Sequence, residues 1–354
     1  MCIRDRYIYI INMINESVLN TLTISVGTSG NNISSSLINK GKQNIIQLLD
    51  DSITKNNNTG NVYTNGLNVF KENETIIYQQ LRLFLEKSTV NKLDEINIIN
   101  SMAGGLGSGV PSDLMRLLNE EFGFTKCLYS NALLWGNNDS MLESYNQLLY
   151  LSDITEKIDI ITCFDNSFYN NTHLSNSGFN NNYLGFEQVN EEIADNLINA
   201  FLGKSERLID LQKYDNTLKF YIPSTSINEN RLFDKQSQLF DVNNVHGNNT
   251  IYYGNIVYTN SVDKMLLFDI NRLAYSNDSM KICSFIQQEN NNNKHYLVSN
   301  NNNIVDSLKK LVSNFNKFFA KGAFLQHYLD TISKDEFLDR REVILNIIDD
   351  YKAL

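Results

Sequence analysis

At 354 residues and 42% hydrophobic content, the chain can bury a substantial core, as two domains or as one large α/β unit. Its formal net charge of −10 argues against a general binder of nucleic acid or of an anionic membrane surface, because either would repel it at long range. The four cysteines and four histidines are scattered without Cys-x-x-Cys spacing, so neither a disulfide framework nor a zinc site is indicated, and incidental thiols in a reducing cytosol are expected.

The N-terminal "MCIRDRYIYIINMINES" pairs basic residues with an apolar run, but the run is only about eight residues long and no small-residue cleavage site follows. No segment approaches the roughly 18 consecutive apolar residues of a membrane span. Residues 1–12 precede the first convincing strand and are set apart as an N-terminal extension. "LNTLTISVG" then reads as a strand, running into "GTSGNNISSSLIN". "NETIIYQQLRLFLEK" has helical apolar spacing, and "EINIINSM" is a short buried strand. After a glycine-rich turn come the helical "PSDLMRLLNEEF", the strand "TKCLYSNALLW", the helical "SMLESYNQLLYLSDI" and the strand "KIDIITCF". Strand, turn and helix in alternation predict a doubly wound parallel sheet over residues 13–185.

The run "NYLGFEQVNEEIADNLINAFLG" predicts a central helix, placed at 186–202. A smaller α/β intermediate domain is expected over 203–300, from "TLKFYIPS", "NTIYYGNIVYT", the helical "SVDKMLLFDINRLA" and "MKICSFIQ". Residues 301–354 carry two helical patterns without strict heptads, which suits two helices packed on the body rather than a coiled coil. Asparagine tracts such as "KNNNTGN" and "ENNNNKH" read as loops between elements.

Two glycine-rich loops each follow a strand and open a helix: "VGTSGNN" (Val26 to Asn32) and "AGGLGSGV" (Ala103 to Val110). The chain has only 17 glycines, and four of them fall within Gly104 to Gly109. Helix N-termini expose unpaired N–H groups at a positive dipole end, which favours an anion, and glycine permits close backbone approach and positive φ. Pro111 suits an early helical position. Neither loop is a Walker A, since no Gly-Lys-Ser/Thr follows, and neither is a clean G-x-G-x-x-G. A phosphate site of this kind relies on backbone amides and a bound cation. Amide side chains suit a purine edge, and Asn166 and Asn190 lie just beyond elements that converge on one pocket, although single asparagines in so asparagine-rich a chain are mostly loop filler.

In order along the chain, "GTSGNNI", "TGNVYTNG", "AGGLGSG", "NDSMLESYNQLLYL", "CFDNSF" and "FEQVN" resemble the nucleotide-site segments of the tubulin family. Among tubulins the resemblance is to the γ class, carried also by "NKFFAKGAFLQHYLDT" and "RREVILNIIDDYKAL". It implies a tubulin/FtsZ-like fold: a GTP-binding domain, a core helix, an intermediate domain and C-terminal helices. Transferred position by position, Thr28, Ser29 and Asn32 would line the phosphate side, and Gly60 and Asn61 would approach the terminal phosphate. Ala103, Gly104, Gly105, Leu106, Gly107, Ser108 and Gly109 would wrap the phosphates, Ser108 adding a hydroxyl. Glu143 would take the ribose, Asn166 and Asn190 would read guanine, and Phe186 would stack on the base.

The departures are specific. Leu106 stands where the signature has threonine, and Thr28 where it has glutamine. Residues 34–58 are shorter than the family's, and Asp50 and Asp51 are the candidates there for positioning magnesium, against the plainer reading of a solvated helix end. In "GKSERLIDL", Glu206 or Asp210 are the weak candidates for a group acting on a neighbouring subunit's nucleotide. The resemblance implies a GTP/GDP-binding cytoskeletal protein that nucleates microtubules at spindle poles. Its expected partners are γ-tubulin-complex-type adaptors, α/β-tubulin and lateral copies of itself. The competing readings are a structural paralogue without nucleotide turnover and a self-polymerising GTPase.

Overall fold

The computed structural model describes residues 9–11, 20–48, 61–87, 93–122, 127–135, 141–165, 185–204, 208, 218–226, 250–259, 280–287 and 294–353. Ten strands form one sheet in the order β1-β9-β8-β10-β7-β6-β5-β4-β2-β3. The first half is parallel throughout: β3 (Ile45–Leu48), β2 (Thr21–Val26), β4 (Glu95–Ser101), β5 (Leu128–Trp135) and β6 (Ile160–Asp165). Nearly every residue of β4, β5 and β6 is buried, the signature of strands covered on both faces.

The two faces carry separate apolar clusters. On one, Leu22, Ile24 and Val26 of β2 meet α2 (Tyr63–Lys87), α3 (Gly105–Phe122) and α4 (Met141–Ile154) through Phe70, Leu114 and Leu148. On the other, α1 (Gly27–Asn39) and α5 (Phe186–Asn196) pack Ile33, Leu37, Val189 and Ile193 against Ile99 and Leu134. The sequence of α1 is a poor helix former, rich in serine and asparagine. Its burial compensates, and the hydroxyls of Ser34 and Ser35 fold back onto the Asn31 carbonyl at 2.9 and 2.8 Å. From β2 the chain crosses to β3 on one side, while β4 lies on the other. The carboxyl ends of β2 and β4 therefore flank a topological switch point, where open α/β sheets bind ligands.

The central helix α5 runs into a π-helical turn (Leu197–Phe201), and the N–H of Gly203 donates to the buried Glu95 carboxylate at 3.1 Å. The sheet continues through two residue pairs, Ile161 with Phe220 and Thr162 with Tyr221, into β7 (Phe220–Ser226). Beyond it β10 (His295–Asn301) is antiparallel to β7 and β8 (Tyr252–Thr259), and β9 (Met280–Gln287) is parallel to β8. The helix expected in "SVDKMLLFDINRLA" lies outside the described residues.

Three expectations need correction. Tyr9–Ile11, within the segment set apart as an extension, forms β1 and pairs in parallel with β9. Helix α2 starts at Tyr63, well ahead of "NETII", because its opening turns pack on α3. The penultimate helical pattern stops early: α6 (Ile304–Phe319) ends in turns with Gly322 and Phe324 both at positive φ, before a 3-10 turn (Leu325–His327) and the last helix, α7 (Lys334–Ala353).

Both C-terminal helices dock on α4 through aromatic rings. Tyr145 lies 5.7 Å from Phe315, 5.3 Å from Tyr328 and 5.7 Å from Phe337, centroid to centroid. Arg340 of α7 pairs with Asp153 of α4, which also accepts a hydrogen bond from the Tyr63 hydroxyl at 2.5 Å. No described helix is long and apolar enough to cross a membrane.

Candidate nucleotide site

At the switch point lies a cavity of about 290 Å³, lined by Val26, Gly27, Thr28, Ser29, Asn61, Ser101, Ala103, Gly104, Gly105, Leu106, Gly107 and Glu143. Helices α1 and α3 begin at its wall, with Gly27 and Gly105 as their first residues, and α2 begins two residues beyond Asn61. Three helix N-termini thus bring positive dipole ends to one place, although the first N–H of α2, that of Tyr63, is taken by the Asn146 side chain. No lysine or arginine is among the lining residues. An anion held here relies on peptide N–H groups and on the hydroxyls of Thr28, Ser29 and Ser101.

Glu143 brings the single carboxylate. It is 4% exposed, lies in the first turn of α4, and accepts a hydrogen bond from the Gln147 amide at 2.8 Å. A carboxylate only accepts hydrogen bonds, so it suits a ligand's hydroxyls rather than its phosphates.

The glycines divide by task. Gly27 has φ +74°, the left-handed backbone that lets β2 turn directly into α1. In the second loop no glycine has positive φ. A Cβ on Gly107 would stand 2.3 Å from the Ser101 carbonyl oxygen, and one on Gly109 2.3 Å from that of Tyr63. These two are bare so that α3 can lie against its own strand and against α2. Gly104 has nothing within 4 Å of a Cβ position and faces open space at the cavity.

Pro111 is not at an early position but inside α3. It has no N–H to give to the Gly107 carbonyl four residues back, and the side-chain amide of Asn100 donates to that oxygen instead, at 2.6 Å. Asn100 is itself held by Asn131, at 2.7 Å, and by the Tyr150 hydroxyl, at 3.1 Å. A buried polar network thereby repairs the helix beneath the loop.

Of the residues singled out from sequence, Thr28, Ser29, Asn61, Ala103, Gly104, Gly105, Leu106, Gly107 and Glu143 meet in this cavity. Several do not. Ser108 is fully buried, and its hydroxyl donates to the Gly104 carbonyl at 2.6 Å, so it offers a ligand nothing. Gly109 packs against α2. Asn32 points outward from α1, Phe186 is 74% exposed, and Asn190 is half-buried on α5; none of the three lines the cavity. Gly60, Asp50, Asp51, Asn166, Glu206 and Asp210 lie outside the described residues. Among the described residues no group of three acidic, histidine or cysteine side chains could hold a metal ion.

Val26, Gly27 and Ser101 line the cavity without having been singled out individually. Their signal is position: each ends the strand that feeds a loop or begins the helix after it. Asn146, in the matching segment "NDSMLESYNQLLYL" but given no role from sequence, is fully buried on α4. Its amide donates to the carbonyls of Asn61 at 2.7 Å and Ala103 at 2.8 Å, and its oxygen accepts from the Tyr63 N–H at 2.9 Å and the Tyr328 hydroxyl at 2.8 Å. Every hydrogen-bonding site of one side chain is used to hold two cavity loops and the C-terminal region together.

A parallel sheet with helix-opening glycine loops at its switch point is a tubulin/FtsZ-like arrangement, and residues 34–173 match the family described as "Tubulin/FtsZ family, GTPase domain". The chain is 24% identical to the nucleomorph γ-tubulin chain of Guillardia theta, covering 84% of this chain and 77% of that one. It is 22% identical to the γ-tubulin chain of Saccharomyces cerevisiae, covering 83% and 72%, and 21% identical to that of Candida albicans, covering 84% and 68%. By these comparisons the chain is similar to γ-tubulin chains over most of its length, and its fold is tubulin/FtsZ-like.

Proposed function

We propose that the chain binds a guanine nucleotide in the cavity at the ends of β2 and β4 and acts as a γ-tubulin-like nucleator of microtubules at cytoplasmic organising centres or spindle poles. The observation that carries the reading is the convergence of three helix N-termini and one buried carboxylate on a cavity with no cationic side chain among its described lining residues. That arrangement fits a polyphosphate held by peptide N–H groups and a sugar whose hydroxyls donate to Glu143. Adaptors of the γ-tubulin-complex type, α/β-tubulin and lateral copies of the chain are the proposed partners. Hydrolysis, where it occurs, is slow and depends on assembly, because no described residue at the cavity is placed to activate water.

A second reading, a structural paralogue that holds its nucleotide without turnover or holds none, is favoured by Leu106. This residue lines the cavity, is 4% exposed and belongs to the apolar cluster, so an alkyl group stands where the signature has a hydroxyl. Chromatography of the nucleotide released on denaturing the purified protein, before and after incubation with excess labelled GTP, separates the two. Stoichiometric GDP or GTP that exchanges supports the first reading, bound nucleotide that never exchanges supports the second, and an empty protein that takes up neither on titration overturns the first. Pelleting with and without GTP then distinguishes a nucleator from a self-polymerising GTPase.

A further inference from the structure

The tie between the cavity and the C-terminal region is unusual in its directness. Asn61 and Ala103 both line the cavity, and both turn their carbonyls onto the Asn146 amide. In a trans peptide the C=O and the following N–H point in opposite directions, so this grip turns the N–H groups of Val62 and Gly104 away from Asn146. Asn61 also sits at φ 57°, a left-handed conformation that asparagine takes more readily than other non-glycine residues. The rotamer of Asn146 is held in turn by Tyr328, in the turn between α6 and α7.

Tyr328 is fully buried, and burial pushes its phenol far above its ordinary value, so it remains a neutral donor with a single proton. Two acceptors are in reach, the Asn146 oxygen at 2.8 Å and the Leu142 carbonyl at 3.3 Å, and the proton goes to the nearer. The same turn is fastened beside the cavity twice more. The Tyr145 hydroxyl donates to the Ala323 carbonyl at 2.7 Å, and the Thr64 hydroxyl to the His327 carbonyl at 3.4 Å.

We infer that Asn146 and Tyr328 are positioning residues for the cavity, setting the peptides that face a ligand's phosphates, so that docking of the turn between α6 and α7 and polyphosphate binding are coupled. A polyphosphate stabilises the arrangement in which Tyr328 is bonded to Asn146, and whatever pulls the turn from α4 weakens the cavity's hold by the same factor. The inference rests on the cavity being the nucleotide site.

The test uses the full chain, with Tyr328→Phe, which keeps the ring in the aromatic cluster and removes only the hydroxyl, and Asn146→Asp, which keeps the acceptor oxygen but replaces the donors by a second acceptor set against two carbonyls. GTP and GMP are titrated against each, and amide exchange is followed in residues 61–65, 102–105 and 320–330. Losing one well-placed hydrogen bond predicts GTP affinity about tenfold weaker in Tyr328→Phe, with GMP changed less than about twofold. Asn146→Asp should lose more. Exchange at 61–65 and 102–105 should quicken in Tyr328→Phe without any nucleotide, and GTP should slow exchange at 320–330 in the wild type. Equal weakening of GTP and GMP means general destabilisation and overturns the inference, as does wild-type affinity with unchanged loop exchange. If the wild type binds no nucleotide, the site reading falls, while loop exchange in the unliganded variants still decides whether the turn sets the loops.

Discussion

Asp153 offers the sharpest test of how the C-terminal helices are held. Its carboxylate faces Arg340 of α7 and accepts from the Tyr63 hydroxyl, whose oxygen also lies 3.1 Å from Ser112 Oγ. Burial by itself would raise the Asp153 pKa, but the Tyr63 hydrogen bond and the Arg340 charge outweigh it and hold the value below the ordinary 3.8. Removing one partner of a buried ion pair costs about 3 to 5 kcal/mol. Here the arginine reaches water along one edge and keeps Glu336 at 3.4 Å, so Asp153→Ala belongs at the low end, about 3 kcal/mol. For a chain of this size the unfolding entropy is about 0.7 kcal/mol/K, so melting should fall by about 4 °C.

Asp153→Asn, which still accepts from Tyr63, should lose less, and Arg340→Ala should not add to Asp153→Ala. Because the folded pKa is depressed, the contribution is present in full above 3.8 and is lost as pH falls through the folded value. The gap between wild type and Asp153→Asn therefore closes in acid. Melting within about 1 °C of wild type for Asp153→Ala, or a gap that widens in acid, would refute the reasoning.

Two glycines of the same loop should behave oppositely. Gly107→Ala drives a Cβ into the Ser101 carbonyl and should cost about 3 kcal/mol or prevent folding, read by denaturant melts. Gly104→Ala meets nothing and should leave stability within about 1 kcal/mol while weakening nucleotide binding, read by titration. Asn100→Leu strands the Gly107 carbonyl and removes an acceptor from Asn131 and Tyr150. It should cost about 3 kcal/mol, and a neutral result would mean the carbonyl under Pro111 needs no donor.

Sequence reading located the cavity because its signals are local. A strand followed by small residues and a helix can be read within about fifteen positions, and two such units on parallel strands must open at the same edge of the sheet. It could not separate two reasons for the second loop's glycines, since close approach and phosphate contact demand the same bare backbone and leave the same letters. Gly107 and Gly109 answer to the carbonyls of Ser101 and Tyr63. It also credited Ser108 with a ligand contact, although a serine inside a helix readily spends its hydroxyl on the carbonyl one turn back.

By itself, then, the sequence determined the alternation of strands and helices, the two loops and their resemblance to tubulin segments, because periodicity and loop chemistry act over short stretches of chain. Tertiary structure alone decided how the loops are held. Asn146 joins Asn61, Tyr63, Ala103 and Tyr328, and Asn100 answers for Pro111. Those hydrogen bonds are set by which backbone groups folding leaves without partners, and that depends on the packing of segments far apart in the chain.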